Sequence, residues 1–131
     1  MKNLSVLLVI GVILFGSCTA QNANAQSAND AQRIVGTWRG VDTDGVTFIF
    51  TFNSNGTYTH SYIYNNETVE RSNGNYFLSG SSLLFKENNS RVDSFAIAGY
   101  YLSSNGNVLS IINLSGINIT NSKTRLWLNK Q

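Results

Sequence analysis

His60 is the chain's one histidine and Cys18 its one cysteine, and what chemistry the sequence can support starts from that shortage. Nucleophilic catalysis of the Ser-His-Asp kind would have to pass its proton through His60. That residue stands inside an alternating stretch, Tyr58-Thr59-His60-Ser61-Tyr62, where it is expected as a polar residue lining an interior and hydrogen-bonded to a tyrosine or water. A metal centre needs several His, Cys or acidic ligands at workable spacing, more than the sequence offers. Asp42-Thr43-Asp44-Gly45 has the opening oxygens of a calcium loop without its later ligands or terminal Glu, and is expected as the turn after a first strand. Glu67, Glu70 and Glu87 fall near turns or on a presumed outer face and do not group as general acid and base. The expectation is a protein that is not an enzyme, with no metal and no cofactor. A single cysteine makes no intramolecular disulfide, so no staple supports the fold.

Charge narrows the partners. Nine basic and seven acidic residues give a formal net charge of +2, and they are scattered. Nucleic-acid binding needs clustered Lys and Arg to displace counterions, so that class is excluded. Polarity comes mostly from Asn, Ser and Thr, and the absence of proline leaves every strand assignment open.

The N-terminus sets an address. Met1-Lys2, an apolar run over 4–15 and then small residues make an export signal over residues 1–17. The run is shorter than the roughly 20 residues that span a bilayer. Gly16-Ser17-Cys18 after such a core resembles the lipobox of bacterial lipoproteins, with Phe15 where that family usually has Leu. The resemblance implies that Cys18 is lipid-modified and becomes the new N-terminus. It carries more than one acyl chain in that family, which makes anchoring stable. The implied location is the cell envelope, anchored to the outer membrane or the cell surface. The alternative is cleavage after Ala23-Asn24-Ala25, which discards Cys18 and leaves a secreted or periplasmic protein. Residues 18–32 are Asn, Ala, Gln and Ser with little to bury, and are expected as a disordered tether with room for a helical turn over 27–33.

The remaining residues, 33–131, are enough for one domain with a core. Alternation dominates them. Residues 47–52 put Phe48, Phe50 and Phe52 on one strand face, and 57–64 do the same for Tyr58, His60, Tyr62 and Tyr64. Between them Ser54-Asn55-Gly56 is expected as a three-residue loop with Gly56 in a bulge. That register sets Phe52 opposite Tyr58, Phe50 opposite His60 and Phe48 opposite Tyr62, gathering the aromatics on one face. Further strands are expected at 34–40, 67–78 with a kink at Gly74, 83–87, 91–103 bent at Gly99, 108–114 and 123–129. Leu78 should face Leu83, and Tyr76 should face Phe85. A break at Asn73-Gly74 would make nine strands instead of eight. Short local connections favour an all-β, eight-stranded antiparallel up-and-down barrel over a two-sheet sandwich, because closure removes both exposed edges.

Gly36-Thr37-Trp38 at the start of the first strand is similar to the Gly-x-Trp signature of lipocalins. The stretch 52–58 and the repeated Tyr-x-Leu-Ser hairpins resemble small lipocalin-like domains of exported bacterial lipoproteins. The resemblance implies that Trp38 closes one end of the barrel and that Arg125, in the last strand, lies over it. True lipocalins are longer and carry a helix after the barrel and often disulfides, none of which is evident here. The expected function is binding of a small apolar or amphipathic molecule, with Phe48, Phe50, Tyr58, His60, Tyr62 and Tyr76 facing it. The alternative is a non-catalytic interaction module with a solid core that binds an envelope or host protein through its rim loops or an outer face bearing Ile49, Ile63 and Phe77.

Overall fold

The computed structural model describes residues 18–88, 96–115 and 125–131. A helix, α1 (Cys18–Arg33), precedes strands β1 (Gly36–Val41), β2 (Thr47–Phe52), β3 (Thr57–Tyr64), β4 (Glu67–Ser79), β5 (Ser82–Glu87), β6 (Ala96–Leu102), β7 (Val108–Ser115) and β8 (Arg125–Lys130). Each strand pairs antiparallel with its sequence neighbour, and β8 returns to β1 through Trp38↔Lys130 and Arg39↔Asn129, closing an all-β barrel. The export signal over 1–17 and most of the 88–95 and 116–124 connections lie outside the described residues.

The aromatic hairpin has the register that its apolar face demands: Phe52↔Tyr58, Phe50↔His60 and Phe48↔Tyr62. Gly56 donates to the Asn53 carbonyl at 3.1 Å and adopts φ 81°, so a turn followed by a glycine bulge sets the loop. β4 runs unbroken through Gly74 and pairs Tyr76↔Phe85 and Leu78↔Leu83, which settles eight strands over nine. One residue is added in β4 after Tyr62↔Glu70, where the register slips.

Inward positions supply the core: Trp38, Phe48, Phe50, Phe52, Tyr58, Leu83, Phe85, Leu109, Ile111 and Leu128 are all buried. An eight-stranded barrel has an interior about wide enough for side chains or one small ligand, so these rings occupy the space a ligand would share.

Residues 18–32, expected as a tether, are helical as part of α1. Ala and Gln favour helix, but so polar a helix needs tertiary contacts to hold it. These come from its last turns. Ile34, just beyond the helix, is fully buried and its amide donates to the Asp30 carbonyl at 2.8 Å. Ser27 Oγ donates to the Gly80 carbonyl at 3.2 Å, and the Arg33 guanidinium donates to the carbonyls of Ser103 and Ser104. The helix thus lies over the barrel end formed by the β4–β5 and β6–β7 turns.

Candidate functional site

The interior is an aromatic stack with one imidazole in it. The His60 ring lies 4.3 Å from Phe50, 21° off parallel, and 6.3 Å from Phe48, 8° off parallel. Tyr58 meets Phe85 edge-on at 4.9 Å, and Phe52 meets Tyr76 edge-on at 4.9 Å. Tyr62 is partly buried against the same cluster. The expected binding residues Phe48, Phe50, Tyr58, His60, Tyr62 and Tyr76 are therefore on one continuous inner surface, placed there by β2, β3 and β4.

Three polar side chains in this surface lack partners. Tyr58 Oη, both ring nitrogens of His60 and Ser72 Oγ are buried and make no hydrogen bond among the described residues. The expected bond from His60 to a tyrosine is not formed: its strand neighbours across the sheet are Phe50 and Ser72, Phe50 and Phe48 stack on it with their faces, and Tyr62, with its ring centre 6.4 Å away and tilted by 36°, makes no hydrogen bond to it. Ser72 is near enough to favour ionisation of the Tyr58 phenol, although neither hydroxyl makes a hydrogen bond of normal geometry. Burial outweighs it and raises the Tyr58 pKa. Burial also lowers the His60 pKa to about 4, so the ring is neutral at pH 7, one nitrogen donating and the other accepting. Buried polar atoms are nearly always paired, and an unpaired one costs about 1–3 kcal/mol. Such a cluster can hydrogen-bond a neutral group that both donates and accepts.

Tyr76, at the rim of the cluster, is satisfied: its hydroxyl donates to the Asn53 carbonyl at 3.0 Å, and burial raises its pKa.

The closure residues divide. Trp38 is fully buried and its Nε1 donates to the Ile34 carbonyl at 2.7 Å, tying β1 to the end of α1. Gly36, paired with Phe52, holds φ 132°, a conformation open to glycine. The cation over Trp38 is Lys130, at 5.2 Å, and not Arg125. Arg125 lies 5.2 Å over Trp127 instead. The seam register explains the exchange. Trp38 pairs with Lys130, while Arg125 pairs with Ile112 five residues back along β8, roughly 17 Å away at strand rise. Gly40 makes the seam possible, because a Cβ there would come within 2.1 Å of the Trp127 carbonyl oxygen.

A second polar cluster fixes α1. Asp30 is only 4% exposed. Its Oδ1 accepts from Gln26 Nε2 at 3.0 Å and Arg33 Nη1 at 3.1 Å, and its Oδ2 accepts from Tyr100 Oη at 3.1 Å. Burial, then the Asp30 carboxylate, push the Tyr100 pKa far up, so this phenol stays protonated as a donor. Grooves of about 530 and 370 Å³ flank the helix, one bordered by Asp30 and Tyr101, the other by Ala31 and Phe77.

Sequence reasoning missed Ser72, Asp30, Tyr100 and Lys130 as site residues. Ser72 was within reach, since inward parity counted back from Tyr76 includes it. Asp30 carried no signal, being one carboxylate in a polar stretch. Among the described residues no three His, Cys, Asp or Glu side chains group so as to hold a metal ion.

The closed eight-stranded antiparallel barrel is consistent with a calycin-like fold. Comparison with models of known protein families and with curated protein sequences finds no match.

Proposed function

We propose that this is a lipocalin-like binding protein whose barrel takes a small apolar or amphipathic molecule with a neutral polar group. The observation that carries the reading is the set of unpartnered buried atoms on Tyr58, His60 and Ser72 within an otherwise apolar interior. The phenylalanines supply apolar contact, and the three polar side chains orient a hydroxyl, amide or protonated carboxyl group. A charged group is disfavoured there, because the ring facing it is held neutral and no counter-ion is among the described buried residues around it. We place the protein in the cell envelope, held by lipid on Cys18, on the strength of the signal-like residues 1–17 and the Gly16-Ser17-Cys18 motif.

Native mass spectrometry of the protein taken gently from its own envelope tests the binding reading. The expected result is a bound small-molecule mass that His60→Phe removes. A bare protein mass under conditions that preserve known barrel–ligand complexes contradicts it. Incorporation of labelled palmitate, abolished in Cys18→Ser, tests the anchor, and an N-terminus beyond Ala25 contradicts it.

The second reading is a non-catalytic interaction module with a solid core. It is favoured by the close stacking of Phe50 on His60 and the edge-on packing of Tyr58 on Phe85, which fill the middle of the barrel. In that case the loops or outer wall engage an envelope or host protein.

A further inference from the structure

The outer wall has an asymmetry that the interior does not explain. Tyr101 on β6, Ser110 on β7 and Trp127 on β8 pair directly across neighbouring strands and point away from the core. Tyr101 is 57% exposed and Trp127 51%, while Ser110 between them is 1% exposed. With strands about 4.8 Å apart, the two aromatic residues stand roughly 10 Å apart on a shared surface. Arg125, two residues from Trp127 on the same face, lies over its indole at 5.2 Å. Ile112, opposite Arg125, and exposed Ile97 extend the surface.

The charges there have one sign. Among the described residues, the outward positions of β6, β7, β8 and β1 carry Arg125 and Arg39 and no carboxylate. Among the described side chains the acidic groups sit elsewhere: Asp30 in α1, Asp42 and Asp44 in the β1–β2 turn, Glu67 and Glu87 at strand ends. A wall facing only water usually mixes both signs. Tyr and Trp beside Arg, with no carboxylate among the described residues of this face, suit the headgroup zone of an anionic bilayer, where an amphipathic ring and a cation are both satisfied.

Position supports lipid over other partners. Tyr101 also borders the groove beside α1, together with Gln26 and Asp30, so this wall is continuous with the helix that begins at Cys18. We infer that the β6–β8 outer face, through Tyr101, Trp127 and Arg125, rests on an anionic lipid surface. The contact is separate from any ligand in the barrel, and its choice of lipid over another partner rests on the reading that places Cys18 at the envelope.

Trp127 provides its own probe, because the other tryptophan, Trp38, is fully buried. The full chain is reconstituted into phosphatidylethanolamine–phosphatidylglycerol vesicles containing brominated phospholipid, and tryptophan quenching is read. The expected result is a quenched component that disappears in Trp127→Phe, falls when Arg39 and Arg125 are both changed to Gln, and is weaker in phosphatidylcholine vesicles. Whatever hold the N-terminal segment has on the vesicle is common to every sample, so the difference between wild type and Trp127→Phe reports this face alone. Unchanged Trp38 emission shows that each variant is folded. Equal quenching of wild type and Trp127→Phe overturns the inference. So does equal quenching in anionic and zwitterionic vesicles, or protection of Trp127 by an added envelope protein in place of lipid.

Discussion

Lys130 holds its ammonium 5.2 Å from the centre of the Trp38 indole while donating to the Arg33 carbonyl at 2.9 Å. One side chain from the last strand thereby covers the tryptophan of the first and caps the end of the helix before it. Lys130→Met should lower stability by about 1 kcal/mol, the scale of an exposed cation–π contact and a hydrogen bond. Arg125→Met, away from the seam, should stay within about 0.5 kcal/mol of wild type. Urea unfolding of the two variants checks the ranking, and a larger loss for Arg125→Met contradicts the assignment of Lys130 to closure.

The seam also depends on what is missing at Gly40. A methyl group there would collide with the Trp127 carbonyl, which belongs to backbone and cannot swing aside. Gly40→Ala should cost roughly 3 kcal/mol or more by parting β1 from β8. Amide exchange should show protection lost first in β1 and β8.

His60 sets a pH dependence. Its folded pKa is about 4 against an ordinary value of 6.5, so between those values the unfolded chain takes up a proton that the folded barrel refuses. Stability contributed by this group is level above pH 6.5 and falls as pH drops toward 4, by about 3 kcal/mol in all. His60→Phe should remove that slope. It should also match or exceed wild-type stability at pH 7, because it deletes two unpaired buried nitrogens and keeps an aromatic ring. Thermal melts across pH 4–7 check both effects.

Tyr100 latches the helix. Tyr100→Phe removes one of the three donors to the buried Asp30 carboxylate and should cost about 1–2 kcal/mol. The local effect should exceed the global one, with faster limited proteolysis within α1. Unchanged cleavage of α1 would show that the apolar contact of Ile34 alone holds it.

Legibility in the sequence followed from how local the determining physics was. The β2–β3 hairpin was readable to the residue because two alternating runs and one glycine turn leave a single register that buries every ring. Continuity of β4 through Gly74 and the pairing of Leu78 with Leu83 followed in the same way. The last strand was harder. Leu126-Trp127-Leu128 turns its leucines inward and its tryptophan outward, and Arg125 goes out with the tryptophan. Only the β1–β8 register, a contact between chain ends, shows that Lys130 is the residue that reaches Trp38. The helix was hidden for a related reason. Its sequence has little to bury, and its docking rests on Ser27, Asp30 and Arg33 meeting residues 53 to 70 positions away in the chain. The candidate site was half visible: the rings and His60 follow from alternation, but that His60 and Tyr58 lack partners is a property of the closed barrel.

The most direct measurement is nitrogen NMR of the His60 ring, which has no other histidine to obscure it. In the protein alone the ring should stay neutral until about pH 4. Saturation with N-phenyl-1-naphthylamine, an apolar probe with one N–H donor, should then shift its ring nitrogens by placing a hydrogen bond where the barrel supplies none. A ring that titrates near pH 6.5, or nitrogens that do not move when the probe is bound, would contradict a ligand site built around His60.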